Sequence, residues 1–166
     1  ASESARIGVI ATAGTILSGA YERAILAEES RAEVWGQAAP LLVPLVEEGW
    51  VDGEVPRLAI QRYLKPLVAH GIDVLILGCT HYPILGAQIR HEINAMSPTP
   101  VQVVDSAVAT AAELMNTLNS RDMGVEAEHK GALRLFVTDM PGAFREVASL
   151  FLGKDVGDLE VEGVDL

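Results

Sequence analysis

Val74-Leu75-Ile76-Leu77 runs without a break into Gly78-Cys79-Thr80-His81-Tyr82-Pro83, and no other stretch narrows the fold as much. Four consecutive aliphatic residues fit a strand covered on both faces, as in a parallel sheet held between helices. In open sheets of that kind chemistry collects just beyond the carboxyl ends of the strands. A glycine, a thiol, a hydroxyl and an imidazole occupy that end here.

The rest of the chain supplies the alternation such a sheet needs. Ile7 to Thr12 reads as a first strand, and Ala13-Gly14-Thr15 as a tight turn into a helix from about Ser18 to Glu29, with Tyr21, Ala24, Ile25 and Ala27 on its apolar side. Ala32 to Ala39 is weakly patterned, with room for a short strand around Val34-Trp35. Leu41 to Gly49 predicts a short helix, with Pro44 in its first turn and Gly49 as its stop. Pro56 to Ala69 predicts a longer one, with Leu58, Tyr63, Leu64, Leu67 and Val68 facing inward, Pro66 as a kink and Gly71 as terminator. After the apolar strand, Pro83 opens a further helix whose face is Ile84, Leu85, Ile89 and Ile93. Val101 to Val104 is a strand, and Asp105-Ser106 caps an alanine-rich helix to about Leu118. Strand and helix alternate throughout, which predicts an α/β fold, a doubly wound parallel sheet, over 1–118. An acidic linker or loop follows at 119–131. Residues 132–166 read as a β-α-β tail, with strands at 133–138 and 159–164 and a helix at 141–152, able to join a different sheet.

Charge and cysteine usage remove several classes of function. The 166 residues suffice for a proper core, but a net charge of −11 disfavours nucleic acid and anionic membrane surfaces as partners. Cys79 is the only cysteine, so no internal disulfide forms and a reducing, cytoplasmic setting is expected. No segment has the length of a membrane span, and the first residues lack the order of a signal peptide.

A thiol acts as base or nucleophile only as thiolate, which a helix N-terminus or a cationic neighbour favours. The helix near Pro83 and the imidazole of His81 are both placed to do this. The alternative for Cys79 is a buried structural thiol. Glu47 is a candidate to orient His81, its alternative being a solvated surface glutamate beside Glu48. Thr12 and Thr15 flank a glycine at a strand end, where hydroxyls and backbone N–H groups hold carboxylates, or simply close the local turn. Thr80 adds a further hydroxyl. His70, His91 and His129 are isolated, and no metal site is expected.

Leu77-Gly78-Cys79-Thr80-His81-Tyr82-Pro83 resembles the second catalytic signature of glutamate racemases, and Ile7 to Thr15 with Ser18-Gly19-Ala20-Tyr21 is similar to the segment that opens that family's second domain. Val46-Glu47-Glu48-Gly49, Val104-Asp105-Ser106 and Phe136-Val137-Thr138 match in order and spacing. The resemblance implies cofactor-free racemisation of glutamate, supplying D-glutamate for peptidoglycan, by two cysteines on opposite faces of the α-carbon. It makes Cys79 one acid/base, His81 its proton partner and Glu47 the support of His81, while Thr80, Thr12 and Thr15 hold substrate. It also implies that the first domain, with the other cysteine, is missing, that the tail would normally complete that domain, and that the missing domain or a homo-oligomer partner is needed. Alone the chain is expected to be inactive. A single-cysteine enzyme of the same superfamily, such as a decarboxylase, and a non-catalytic carboxylate-binding remnant are the other readings.

Overall fold

The computed structural model describes residues 4–125, 133–138, 141–152 and 161–165. The chain divides into two compact units, Ala1–Leu114 and Met115–Leu166.

The first unit is built on four parallel strands: β1 (Arg6–Ala11), β2 (Glu33–Ala38), β3 (Val74–Leu77) and β4 (Gln102–Asp105), in the order β2-β1-β3-β4. The aliphatic run is β3, an interior strand. Val74, Leu75 and Leu77 are buried and Ile76 half-buried, the pattern expected of a strand with helices over its faces. β2 spans six residues, more than Val34-Trp35. It is an edge strand of half-buried and exposed residues, and neither alternation nor a continuous apolar run marks such a strand in sequence.

Between β1 and β2 the predicted single helix is two: α1 (Ala13–Ser18) and α2 (Ala20–Glu28), separated by Gly19 at φ 63°. That left-handed conformation ends α1, and glycine adopts it without steric cost. Ala13-Gly14-Thr15 is therefore the first turn of α1 rather than a loop. Tyr21 and Ile25 are half-buried, but Ala24 and Ala27 are exposed. α3 (Leu42–Glu47) has Pro44 in its first turn, as expected, and ends in a Schellman motif. Gly49, at φ 72°, donates to the Val46 carbonyl at 3.0 Å, and Trp50 donates to that of Leu45 at 2.7 Å.

α4 (Glu54–Ala69) continues through Pro66 and stops at Gly71, φ 66°. Its inward face is Pro56, Ile60, Tyr63, Leu64 and Leu67. Leu58, predicted to face inward, is exposed, because it lies five residues before Tyr63, about 140° away around the helix. Ile60, three before Tyr63, takes the buried position. Pro83 opens a 3-10 turn (Tyr82–Leu85) that leads into α5 (Gly86–Met96), where Ile89 and Ile93 are buried. These helices and β3 share one core with Ile10, Leu42, Val46 and Ile72. α6 (Ser106–Ser120) buries no residue among those described and leaves Val108, Leu114 and Met115 exposed. The division between the units falls within it.

In the second unit β5 (Leu135–Val137) pairs in parallel with β6 (Val161–Gly163), and α7 (Pro141–Leu152) lies between them in sequence. The tail thus has its own two-stranded sheet, as the expected β-α-β order allowed. Most of the predicted linker, from 126 onward, lies outside the described residues, as does His129. Among the described residues no helix is long and apolar enough to cross a membrane.

Candidate active site

Register places the candidate residues along one edge of the sheet. Ile10 is opposite Leu77, Leu77 is opposite Asp105, and Ala11 is opposite Ala38. The residues that follow, Thr12, Gly78-Cys79, Ser106 and Ala39, therefore leave four neighbouring strands at the same carboxyl end. This is where a parallel sheet opens to a ligand.

Thr12 is the N-cap of α1. Its hydroxyl accepts from the Thr15 N–H at 3.4 Å and lies 3.0 Å from the Thr15 hydroxyl. The two side chains thus share one polar cluster, and their contacts are the local ones that a strand-to-helix turn produces.

Gly78 extends the β3 ladder by one bond, donating to the Ile10 carbonyl at 2.8 Å. A Cβ on Gly78 would lie 2.9 Å from Tyr21 Cε2 and 3.2 Å from the Ala11 Cβ. The glycine is required because an aromatic ring closes directly over the strand end. Gly78→Ala is expected to displace Tyr21 and destabilise the fold by about 1–3 kcal/mol, measured by urea denaturation. An unchanged midpoint would contradict the close approach.

Cys79 is half-buried and packs against the core cluster. Beyond it the chain turns tightly, with the Tyr82 N–H donating to the Cys79 carbonyl at 3.2 Å and the Ile84 N–H to that of His81 at 3.2 Å. The helix N-terminus expected near Pro83 beside the thiol is instead this 3-10 turn, which uses the Ile84 N–H, and α5 begins only at Gly86.

His81 is held from two sides. Its Nε2 lies 3.4 Å from Glu47 Oε1, and its Nδ1 lies 3.3 Å from the Thr80 hydroxyl. A carboxylate facing Nε2 favours the tautomer protonated there, which leaves Nδ1 to accept from Thr80. Glu47 is half-exposed, yet the last turn of α3 brings it to the imidazole. The surface position and the histidine partnership both hold for this one side chain.

Three residues that sequence reasoning passed over complete the arrangement. Tyr82, fully buried, donates its hydroxyl to the Ala39 carbonyl at 2.8 Å. Burial pushes its phenol above the usual tyrosine range, with Cys79 and then Tyr63 adding to the shift. It therefore remains a neutral donor at physiological pH. Ser106, read only as part of a cap, donates to the Leu77 carbonyl at 2.7 Å and ties the end of β4 to the end of β3, while Asp105 accepts from the Ala107 N–H at 2.8 Å. Tyr21 forms the wall over Gly78. For Tyr21 and Tyr82 the signals were their apolar character and their place in the family-like segments, and neither separates a site wall from a core residue. His70 stacks on Trp35 with ring centroids 4.8 Å apart, and His91 lies 4.0 Å from Glu92. Neither joins the site. Among the described residues no three His, Cys, Asp or Glu side chains are grouped to hold a metal ion.

Residues 1–114 match the family model described as Asp/Glu/Hydantoin racemase. This chain belongs to that racemase family. It is 44% identical over 156 residues to the glutamate racemase of Neisseria gonorrhoeae, covering 94% of this chain and 56% of the relative. Two crystal structures superimpose well: a glutamate racemase isoform from Bacillus anthracis (TM-score 0.87, 33% identity, 99% of this chain and 59% of that one) and the Francisella tularensis glutamate racemase in complex with D-glutamate (TM-score 0.84, 32% identity, 96% and 58%). The racemase fold is thus a doubly wound α/β sheet here as there. The chain spans little more than half the length of the relatives it matches.

Proposed function

We propose that the edge carrying Cys79, His81 and Glu47 forms one wall of a glutamate racemase site that takes the α-hydrogen on and off one face of the substrate. The observation that carries this reading is the His81–Glu47 pair, 3.4 Å apart, on the turn that bears the chain's only cysteine. A thiol acting as acid/base needs a proton carrier near it, and an imidazole whose tautomer is fixed by a carboxylate is suited to that task. The relatives named as glutamate racemases, one of them with D-glutamate bound, supply the substrate. Thr12, Thr15 and Thr80 offer hydroxyls for its carboxylates and amine, and the product D-glutamate would serve peptidoglycan synthesis.

The chemistry needs no cofactor if the site stabilises carbanionic character at the α-carbon with fixed dipoles in a dry cavity. The Cys79 thiolate takes the α-proton, and a second thiol on the opposite face returns one, inverting the centre. These 166 residues contain one thiol, so the second must come from another polypeptide segment. The account therefore expects the 166-residue chain by itself to make no D-glutamate at an enzymatic rate. A coupled assay for D-glutamate checks this, and full turnover by the purified chain would contradict it. The single cysteine also suits an enzyme that protonates a planar intermediate from one face, such as a decarboxylase; loss of carbon dioxide from a substituted malonate would favour that reading.

A further inference from the structure

We infer that Tyr82 is a positioning residue for the proposed reaction: through its hydroxyl it clasps the β2–α3 corner to the Cys79–His81 turn and so sets the distance between Glu47 and His81. The inference rests on the reading of those three residues as one wall of the site.

The Ala39 carbonyl receives two donors, the Tyr82 hydroxyl at 2.8 Å and the Leu42 N–H at 3.2 Å. The Ala39 N–H in turn donates to the Ala11 carbonyl at 2.9 Å. One residue thus joins the end of β1 just before Thr12, the start of α3 and the turn that carries Cys79. Leu42 opens the short helix that Glu47 closes, so the placement of this corner fixes where the carboxylate arrives. Tyr82 follows His81 directly, so the same side chain anchors the imidazole's own backbone. The phenol and the Ala39 carbonyl meet in the buried core, where a hydrogen bond resists exchange with water.

The geometry separates positioning from bulk stability. Removing the hydroxyl leaves the Ala39 carbonyl with the Leu42 N–H, so no acceptor is orphaned and the penalty of an unsatisfied buried group is avoided. The phenyl ring remains to fill its place in the core. The main loss is the link between the two halves of the His81–Glu47 pair. Tyr63 provides an internal comparison, because its hydroxyl accepts from the Leu41 N–H at 3.4 Å in the same corner, whereas that of Tyr82 donates to the Ala39 carbonyl.

The test is carried out on the full 166-residue chain with ¹⁵N-labelled histidine. Tyr82→Phe is expected to keep a cooperative unfolding transition and to move the His81 ring nitrogen resonances in the same direction as Glu47→Gln, by a comparable amount. Tyr63→Phe should leave them near the wild-type positions. Unmoved His81 resonances in Tyr82→Phe would overturn the inference, as would equal displacement by the two tyrosine variants, or a Tyr82→Phe chain that fails to fold. Because the readout is the ring itself, it is independent of turnover: full D-glutamate turnover by the purified chain would overturn the functional reading and leave this result intact.

Discussion

In a racemase in which this unit faces a second thiol, Cys79→Ser is expected to lower turnover of glutamate by about 10²–10⁴-fold, the range that a positioned acid/base contributes. A serine hydroxyl is close in size to the thiol but ionises far less readily, so it cannot share protons near neutral pH. Cys79 is half-buried at the end of an interior strand, and the serine occupies the same place without opening a cavity. The unfolding midpoint should therefore change little while kcat collapses. Steady-state kinetics paired with thermal unfolding separates the two. A variant that loses stability in proportion to activity would instead favour Cys79 as a structural thiol.

The second large effect belongs to the scaffold. Leu75 is fully buried in β3, between β1 and β4. Leu75→Ala removes three carbons from a site walled by neighbouring strands and covering helices, and such a site collapses poorly. The expected cost is about 2–5 kcal/mol, a large part of the roughly 5–15 kcal/mol by which native proteins are stable. Urea denaturation should show an earlier midpoint with an unchanged slope. A loss well below 1 kcal/mol would mean that β3 is not the buried centre of the sheet.

How much of this was legible in the sequence depended on how far each signal reached along the chain. β3 and its Gly-Cys-Thr-His end were readable because burial on both faces leaves a continuous aliphatic run, and the chemistry sits directly at its end. The stop at Gly49 was readable because a left-handed residue after a helix selects glycine. β2 was underestimated because an edge strand carries no strong pattern. The break at Gly19 was passed over because a glycine within an alternating apolar and charged stretch is tolerated in a helix as well as used to end one. Leu58 is apolar yet lies off the buried face, because the 3.6-residue period leads back from Tyr63 to Ile60.

The site followed the same division. Cys79, His81 and Thr80 are consecutive, so the sequence grouped them. Glu47 is half-exposed and more than thirty residues away; a carboxylate able to orient His81 made it a candidate, but no local pattern distinguishes it from Glu48, and the likeness to a family strengthened the choice. The contacts from Tyr82 to Ala39 and from Ser106 to Leu77 span 43 and 29 residues. Such contacts are set by the register of neighbouring strands, which becomes visible only once the sheet is formed. The helix N-terminus expected at Pro83 failed for a related reason, since a 3-10 turn intervenes, with the Ile84 N–H bonded to the His81 carbonyl, and α5 begins only at Gly86.

The central claim is that Cys79 serves one face of the α-carbon and cannot invert it alone. Incubating the 166-residue chain with L- and D-glutamate separately in deuterium oxide, and following both α-hydrogen loss and optical configuration, tests this most directly. The account predicts slow incorporation of deuterium into one enantiomer with its configuration retained, abolished in Cys79→Ser. Inversion of either enantiomer at an enzymatic rate, or deuterium incorporation that persists without the thiol, would contradict it.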